Sequence, residues 1–471
     1  MNTDEIKEQI LKLTREYTIA KHKANFPVTN TKQPNDPYTI DLGSVPYAGR
    51  VFDENEVVAA VNSTLDFWLT LGKNGDEFEK KLSKFLGIRS TVLTNSGSSA
   101  NLLAIAALSS YKLGDRQIKY GDEIITVAAG FPTTVAPMIQ NGFVPVFVDT
   151  DPNTLNVKVE MLEEAYKSSK TKAVMIAHTL GNPFDISKVN DFCKKYNLWL
   201  IEDNCDALGS LYNNKYTGTF GDLSTQSFYP PHHLTLGEGG SINIISDSKL
   251  RTIVESFRDW GRDCWCPSGC DNTCNKRYEW QLGELPDGYD HKFTYSHLGY
   301  NLKPLDIQAA IGLEQLNKLP SFIQSRIDNW DYLRNGLDDL SEYFSFMLPT
   351  HATEWTQDGF QWDSSGNRTT PSWFGFMINV KQSSPFTKSQ FAKFLDSKKI
   401  GNRNLFGGNL TRQPAFINLK KERSDSFRIV GNLNGADSVM NQSLFIGTYP
   451  GLTKPMLDYI IETIHNYVNG F

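Results

Sequence analysis

The sequence predicts an α/β protein whose mainly parallel sheet is covered by helices on both faces. Short apolar runs recur between residues 90 and 245, and helical stretches of ten or more residues separate most of them. Runs without polar alternation are typical of parallel strands, which are buried on both faces. The expected strands are 90–95, 122–129, 144–150, 172–178, 198–204 and 240–245.

The segments on either side of this region have a helical pattern. Residues 4–24 carry apolar side chains near helical spacing and predict an amphipathic helix, which a Pro/Asn/Thr-rich connector follows. A second helix is expected over 53–67, and a long one from Lys303 towards Leu340. The remaining chain predicts a smaller, strand-poor α+β part. The expected units are therefore an N-terminal helix and arm (1–40), a large α/β domain (41–325) and a small C-terminal domain (326–471).

Composition excludes several classes of protein. The 471 residues include 47 Lys and Arg against 53 Asp and Glu, a net charge of −6, so no basic excess exists to bind nucleic acid. No apolar run approaches the ~18–20 residues that span a bilayer. The N-terminus lacks the apolar core of a secretory signal, so we expect a cytoplasmic protein with no membrane association. Six cysteines are too few for a disulfide scaffold.

A Gly/Ser turn is the first candidate ligand site. The segment TNSGSSAN (94–101) follows an expected strand and begins a helical run. Glycine lets the backbone approach a ligand, and a helix N-terminus offers free N–H groups to an anion. A serine that caps the helix without any ligand is the alternative.

Asp203 is the second candidate. It lies at the end of the apolar run in LWLIEDN (198–204). The carboxyl ends of parallel strands are where open α/β sheets bind ligands. A carboxylate there can keep a pyridinium nitrogen protonated, which makes a pyridoxal ring an electron sink. Capping of the next helix is the alternative role.

Six motifs then carry a family resemblance. They run in order over about 250 residues: FWLTLG (67–72), SGSSA (96–100), HTLGNPFD (178–185), IEDNCDALG (201–209), SFYPPHHLTLGEGG (227–240) and LGYNLKPLDIQAAIGLEQL (298–316). With these motifs the chain resembles the pyridoxal-phosphate sugar aminotransferases and dehydratases. The resemblance implies the aspartate aminotransferase-like fold (type I) with a sheet of the seven-stranded type.

One position departs from the aminotransferase pattern. That family has SFxPxK, whose lysine binds the cofactor covalently, whereas this chain has His232 at the lysine position. Histidine cannot form an imine, but imidazole is a competent base. A histidine subgroup resembles sugar 3-dehydrases, which hold pyridoxamine phosphate (PMP) noncovalently and remove the 3-hydroxyl of a 4-keto-6-deoxy sugar nucleotide.

A cysteine cluster lies in WGRDCWCPSGCDNTCNKR (260–277), within an expected insertion near 260–290. Four thiols in eleven residues indicate a metal ion or iron–sulfur cluster, and the spacing is not that of a zinc pair. The resemblance to iron–sulfur 3-dehydrases implies a 2Fe–2S cluster. Its implied ligands are Cys205, Cys264, Cys266 and Cys274, and the alternative set replaces Cys205 by Cys270. The remaining thiol, Cys193, is expected to be structural.

The resemblance also implies further site residues. Ser227 and the Gly97–Ser98 turn should hold the cofactor phosphate, and we place Phe131 in the same cofactor-binding set. Asn301 should reach the phosphate of a partner subunit, which implies a homodimer. Tyr229 should stack on His232 or hydrogen-bond near it, with plain packing as the alternative.

Two further roles come from side-chain chemistry. Arg403 and Arg412 are candidates for the nucleotide diphosphate because guanidinium groups suit phosphate geometry, although a solvated loop is nearly as good an interpretation. His233 is interpreted as a neighbour of His232 rather than as a second base, since consecutive side chains of an extended segment point apart.

The expected function is C3 deoxygenation of a nucleotide-linked 4-keto-6-deoxyhexose in dideoxysugar (lipopolysaccharide O-antigen) synthesis. His232 removes a proton from the cofactor C4′, Asp203 keeps the ring nitrogen protonated, and an NADH-dependent flavin/iron–sulfur reductase supplies electrons. CDP-4-keto-6-deoxyglucose is the expected substrate, with dTDP- or GDP-sugars as alternatives. Two other hypotheses are a non-catalytic regulator or redox/zinc scaffold, and a conventional aminotransferase using Lys215 or Lys303.

Overall fold

The computed structural model describes residues 1–22, 44–266 and 269–471, so most of the expected N-terminal connector lies outside the described residues. The helices are α1 Thr3–His22, α2 Glu54–Leu65, α3 Lys73–Leu86, α4 Gly97–Ala107, α5 Pro132–Gln140, α6 Leu162–Ala165, α7 Ile186–Tyr196, α8 Lys249–Arg258, α9 Asp306–Gly336, α10 Lys388–Ser397, α11 Pro414–Glu422, α12 Asn434–Gln442 and α13 Lys454–Val468.

The strands are mostly short. They are β1 Ser90–Thr94, β2 Glu123–Val127, β3 Val144–Val148, β4 Thr171–Ala177, β5 Trp199–Asp203, β6 Leu211–Tyr212, β7 Lys215–Tyr216, β8 Leu223–Ser227, β9 Gly240–Ile244, β10 Phe344–Phe346, β11 Ala352–Thr356, β12 Gly359–Trp362, β13 Thr369–Thr370, β14 Gly375–Val380, β15 Asn402–Asn404, β16 Arg428–Ile429 and β17 Ser443–Gly447.

The large sheet has eight strands in the order β1-β9-β8-β5-β4-β2-β3-β16. Only β9 runs against the others, because it pairs antiparallel with both β1 and β8. The α/β prediction is therefore confirmed. Seven of the strands come from residues 90–244, as the resemblance implies, and the two-residue strand β16 from the C-terminal part extends the edge beyond β3.

All six expected strands are present, and β8 is the strand that the apolar pattern did not reveal. Its sequence, LSTQS, is mostly polar, yet Ser224, Thr225 and Gln226 are fully buried. Buried polar side chains need hydrogen bonds, and the Thr225 hydroxyl donates one to Asn101 Oδ1 at 2.6 Å. The strand is polar because its side chains hold the residues around the site.

The C-terminal part forms a second, antiparallel sheet in the order β10-β14-β17-β15. An extended core joins this sheet to α9, where Trp330 stacks on Trp373 with ring centroids 4.6 Å apart. The expected boundary at 325/326 falls inside α9, which is continuous, so the division into domains stays a prediction. Within the described ranges, no helix is long and apolar enough to cross a membrane.

Asp306 joins the start of α9 to the start of α3. Its carboxylate is 1% exposed and accepts hydrogen bonds from the backbone N–H groups of Gly72 (2.8 Å) and Gly75 (2.9 Å). It also accepts one from the Asn74 side chain at 2.8 Å. Because Gly72 caps α3 without a side-chain oxygen, Asp306 supplies the missing acceptor from another helix.

We expect Asp306→Ala to lower the free energy of unfolding by about 2 kcal/mol, since it leaves buried N–H donors without a partner. Denaturant unfolding measures the change. Asp328→Ala is the matched control, because Asp328 is an exposed acid on the same helix. Equal stability of the two variants would contradict the capping role.

Candidate active site

A cavity of about 930 Å³ opens where several parallel strands of the large sheet end. Asp203 ends β5, Ser227 ends β8 and Ala177 ends β4, and all three line the cavity. The second sheet closes the far wall with Arg403, Asn404 and Phe445. Of the predicted site residues, the cavity brings together Gly97, Ser98, Phe131, Asp203, Cys205, Ser227, Tyr229, His232 and Arg403.

Asp203 is fixed by three donors. The Thr134 hydroxyl (2.7 Å) and the Asn101 side-chain amide (2.9 Å) both donate to Oδ2, and the backbone N–H of Cys205 donates to Oδ1 at 3.2 Å. Asp203, Asn101 and Thr134 are all buried. A donor set of this kind holds the carboxylate in one orientation, which suits a charge that must face a ring nitrogen.

Gly97 and Ser227 form a close-packed cradle at the start of α4. A Cβ added to Gly97 would lie 2.5 Å from Ser227 Cβ, so only glycine allows this approach. Ser96 caps the helix by accepting from the Ser99 N–H at 3.1 Å. The serine cap and an anion site are therefore compatible, since Gly97 and Ser98, in the first turn after the cap, both line the cavity.

His232 lies on the loop after β8 with a side chain that is 15% exposed. Its ring packs against Phe374 with centroids 5.1 Å apart, and its Nδ1 lies 3.6 Å from Asp206 Oδ1. No hydrogen-bond partner of Nδ1 is present among the described residues. The imidazole thus faces the cavity that Asp203 lines, with one nitrogen unpaired.

Burial and the charges around His232 favour a neutral imidazole. Burial lowers the pKa of His232 to about 3, and the positive charge of Arg326 acts in the same direction. Burial and the negative charge of Asp203 raise the pKa of Asp206 to about 8. At neutral pH the histidine is therefore unprotonated and able to accept a proton.

Lysine is missing from the cavity wall within the described parts of the chain. Lys215 donates instead to the Thr219 carbonyl at 2.9 Å. Lys303 pairs with Asp259 at 3.0 Å and lies 4.1 Å from the centre of the Trp260 ring. Neither lysine lines the cavity, and both are occupied elsewhere.

Two predicted residues lie away from the cavity. Asn301 is exposed and forms an isolated β-bridge with Asp259. Arg412 forms an exposed ion pair with Asp437 at 2.8 Å. Arg403 does line the cavity, and its guanidinium carbon lies 4.1 Å from the centre of the Tyr47 ring. Of the two predicted arginines, Arg403 is therefore the one that lines the cavity.

The cysteines fall into separate groups. Cys264, Cys266 and Cys274 line a second, small cavity, whereas Cys205 lines the large one and Cys270 is exposed. Cys193 is buried in α7, as expected for a structural thiol. His291 also lines the small cavity; its Nε2 lies 2.8 Å from Asp263, and its Nδ1 is unpaired among the described residues.

The three clustered thiols differ in acidity. Burial opposes ionisation of Cys266, but hydrogen bonds from Thr273 and the Cys274 backbone lower its pKa to about 7. Burial raises the pKa of Cys264, and burial with the charge of Asp203 raises that of Cys205. In the described chain, no group of three or more His, Cys, Asp or Glu side chains is arranged to hold a metal ion. The three thiols share one small cavity but do not form a metal site in this arrangement.

Sequence reasoning missed four residues of the active-site wall, Asn101, Thr134, Asp206 and Phe374, and one residue behind it, Arg326, which contacts the His232 backbone. Asn101 and Asp206 do lie within or next to recognised motifs, at 96–100 and 201–209. A three-to-four-residue helical offset from Gly97 could have suggested Asn101. Arg326 and Phe374 come from distant segments, and only the fold brings them to the histidine.

The comparisons with known proteins agree with this geometry. The model of the DegT/DnrJ/EryC1/StrS aminotransferase family matches residues 52–465, which is most of the chain. The chain belongs to this family. Such members use pyridoxal-type cofactors, and the carboxylate, the Gly/Ser turn and Ser227 at the strand ends are where this member would bind one.

Similar members of the family are known. The lipopolysaccharide biosynthesis protein RfbH of Salmonella typhimurium is 49% identical, with 99% of each chain covered. A dTDP-4-dehydro-2,6-dideoxy-D-glucose 3-dehydratase of Saccharopolyspora spinosa is 45% identical over 95% of this chain and 92% of its own. The Escherichia coli GDP-4-keto-6-deoxy-D-mannose-3-dehydratase with bound hydrated PLP superimposes with a TM-score of 0.76 at 31% identity, covering 89% and 98% of the two chains.

We expect Gly97→Ala to weaken PMP binding at least tenfold, or about 1.4 kcal/mol, because the new methyl group forces α4 away from Ser227. A titration followed by cofactor absorbance measures the affinity. Gly130→Ala is the matched control, because a Cβ at Gly130 meets no atom within 4 Å on the same cavity. Similar affinities of both variants would show that the cradle does not hold the cofactor.

Proposed function

We propose that the protein is a PMP-dependent 3-dehydrase of a nucleotide-linked 4-keto-6-deoxyhexose that acts in deoxysugar and lipopolysaccharide synthesis. The observation that carries the proposal is a histidine, with no described lysine, in a cavity that has the carboxylate and anion cradle of a pyridoxal-type site. The names of the relatives support the broader class, a nucleotide-sugar dehydratase or aminotransferase. The absence of the lysine favours the dehydratase within it.

The proposed cofactor contacts follow from the cavity wall. Gly97, Ser98 and Ser227 would hold the phosphate, Phe131 would flank the cofactor, and Asp203 would face the ring nitrogen. When bound, PMP supplies an amino group that condenses with the sugar ketone and a ring that delocalises electrons. Asp203 is suited to keep that nitrogen protonated because its three donors leave it no freedom to turn away.

His232 would act as the base at C4′. Its pKa of about 3 keeps the lone pair free at neutral pH, and the negative charge of a bound ligand would raise that pKa. The proton that it accepts can leave with the C3 hydroxyl as water. Tyr229, which is half exposed on the same loop, would then lie beside the sugar or the imidazole.

The overall reaction requires two electrons and two protons from outside the sugar. Loss of the C3 hydroxyl as water leaves an unsaturated sugar, and its reduction gives a 3,6-dideoxy-4-keto sugar. NADH can supply the electron pair through a flavin/iron–sulfur reductase. We therefore propose such a reductase as the physiological partner.

The substrate would extend from the cofactor towards the second sheet. Arg403 is the proposed diphosphate contact, because it is the arginine of the cavity wall and its side chain already stacks on Tyr47. We propose CDP as the nucleotide, and dTDP and GDP are the alternatives that the named relatives use. Competition among the three 4-keto-6-deoxy sugar nucleotides decides between them.

We also propose a homodimer. Asn301 is exposed and remote from its own cavity, as a residue that serves a partner subunit would be. Leu298, 96% exposed, and Leu305, 50% exposed, lie on either side of it in the chain. Exposed apolar groups of this size are typical of a surface that another chain covers.

We expect His232→Asn to bind PMP normally but to lose C4′ proton exchange by ~10²–10⁴-fold, the usual cost of removing a positioned base. Wash-out of deuterium from C4′-labelled PMP in the presence of the sugar nucleotide measures it. The matched control is His233→Gln, because Gln can replace the Nε2 contact of His233 with the Ser372 carbonyl (2.8 Å).

The companion variant His232→Lys tests position rather than chemistry. A lysine there should form an imine with added pyridoxal phosphate and turn the protein yellow. Near-normal turnover in His232→Asn would remove this residue from the mechanism. Amino-group transfer to the sugar by the unaltered protein would replace the dehydrase by an aminotransferase.

For the electron carrier we propose a 2Fe–2S cluster ligated by Cys264, Cys266 and Cys274, which already share one cavity. Cys205 is the proposed fourth ligand and Cys270 the alternative. Either must move to reach the trio, since neither lines that cavity. Cys205 would also have to lose its proton to bind iron. Its raised pKa opposes this loss, and the free energy of metal binding would have to offset it.

We expect Cys264→Ser, Cys266→Ser and Cys274→Ser each to abolish stoichiometric iron and sulfide, because serine is a poor ligand for iron in a cluster. These variants should still exchange the C3 oxygen with labelled water, since elimination needs no external electrons, but accumulate no 3-deoxy sugar. Steady 3-deoxy product without a reductant would make the cysteines structural.

The fourth ligand is identified by a second set of variants. Loss of the cluster in Cys205→Ser alone supports the proposed set, and loss in Cys270→Ser alone supports the alternative. Loss in His291→Gln, with both cysteine variants intact, would assign the position to the unpaired Nδ1 of His291.

A further inference from the structure

Arg326 lies in α9, 94 residues beyond His232 in the chain, and its side chain is 1% exposed. Its guanidinium donates to four backbone carbonyls. Nη2 contacts Pro231 at 3.2 Å and His232 at 3.0 Å, and Nη1 contacts Trp373 at 3.2 Å and Phe374 at 3.4 Å. One buried cation therefore binds the histidine loop on one side and the segment before β14 on the other.

Two further contacts join the same two segments. His233 Nε2 lies 2.8 Å from the Ser372 carbonyl oxygen, and the Phe374 ring packs on the His232 ring. The loop that carries His232 is thus held by residues 372–374 and by Arg326 together. Within the loop itself, the His232 N–H donates to the Tyr229 carbonyl and the Leu236 N–H donates to the Phe228 carbonyl, both at 3.0 Å.

Within the described residues, the Arg326 guanidinium has no hydrogen-bonded carboxylate to balance its charge, and its Nε is unpaired. A buried charge without an ion pair is costly, so a purely structural role would be served better by a neutral side chain. The nearby acid that interacts with the cation is Asp206, which also faces His232 Nδ1.

We infer that Arg326 is a positioning residue for His232: it fixes the backbone of the catalytic loop so that the imidazole faces the cofactor. The inference rests on the proposed role of His232 as the C4′ base. Arg326 acts on geometry through the carbonyls of residues 231 and 232. Because the same cation holds residues 373 and 374, the position of the base is also tied to the second sheet, which forms the substrate wall.

The test uses Arg326→Gln and Arg326→Lys in the full-length protein. Gln is neutral and reaches fewer carbonyls, and Lys keeps the charge but lacks the planar fork. We expect C4′ deuterium wash-out to fall about 100-fold in Arg326→Gln, the scale of a 1 Å misplacement. The wash-out rate of Arg326→Lys should be at least tenfold higher than that of Arg326→Gln. KM for the sugar nucleotide and Kd for PMP should stay within threefold, because neither ligand contacts Arg326.

Arg334→Gln and Arg334→Lys are the matched controls. Arg334 lies two turns further along α9, is similarly buried, and pairs with Asp338 at 2.8 Å away from the histidine loop. These variants should lower Tm without slowing wash-out. Wash-out within threefold of the unaltered protein in Arg326→Gln, or equal losses in the Arg326 and Arg334 variants, would overturn the inference.

Two outcomes keep the inference separate from the proposed function. If the unaltered protein shows no wash-out with any 4-keto-6-deoxy sugar nucleotide, the proposed function is wrong, and the positioning role that rests on it is wrong as well. If Arg326→Gln does not fold, Arg326→Lys decides at a temperature below its Tm: slower wash-out with unchanged KM supports the role, and unchanged wash-out overturns it.

Discussion

The active site depends on the shared edge at which β4, β5 and β8 end. Parallel strands bring residues that are distant in sequence to one line, and here that line holds Asp203 and Ser227. Asn101 joins the two strands, because it donates to the Asp203 carboxylate and accepts from Thr225 of β8. The buried side chains of β8 are polar for this reason, since an apolar strand could not hydrogen-bond the side-chain amide of Asn101.

The same constraint explains how much of the site could be predicted from the sequence. Residues that belong to local motifs, such as Asp203, Ser227 and His232, could be found because strand, turn and residue type occur together. The six apolar strands were predictable for the same reason. The polar strand β8 was not, because its burial depends on partners from α4 and β9 that no periodicity reveals.

The parts that the sequence could not provide are long-range. Arg326 lies 94 residues from His232, and Phe374 lies further still, so their contacts exist only once the second sheet is packed on the first. The cysteines show the opposite case. Their spacing suggests that Cys264, Cys266 and Cys274 lie near one another, and they do share one small cavity. A remote fourth ligand could be suggested only by resemblance, and the fold keeps Cys205 in a different cavity.

The two-residue strand β16 has a consequence for motion. Arg428 pairs in parallel with β3, and its guanidinium also forms an ion pair with Glu123 of β2 at 2.7 Å. The C-terminal part is therefore attached to the large sheet along its far edge as well as through α9. Attachment at two separate places opposes a hinge-like opening of the C-terminal part away from the large sheet. Reactants would then enter and leave through the existing opening of the cavity rather than by separation of the two sheets.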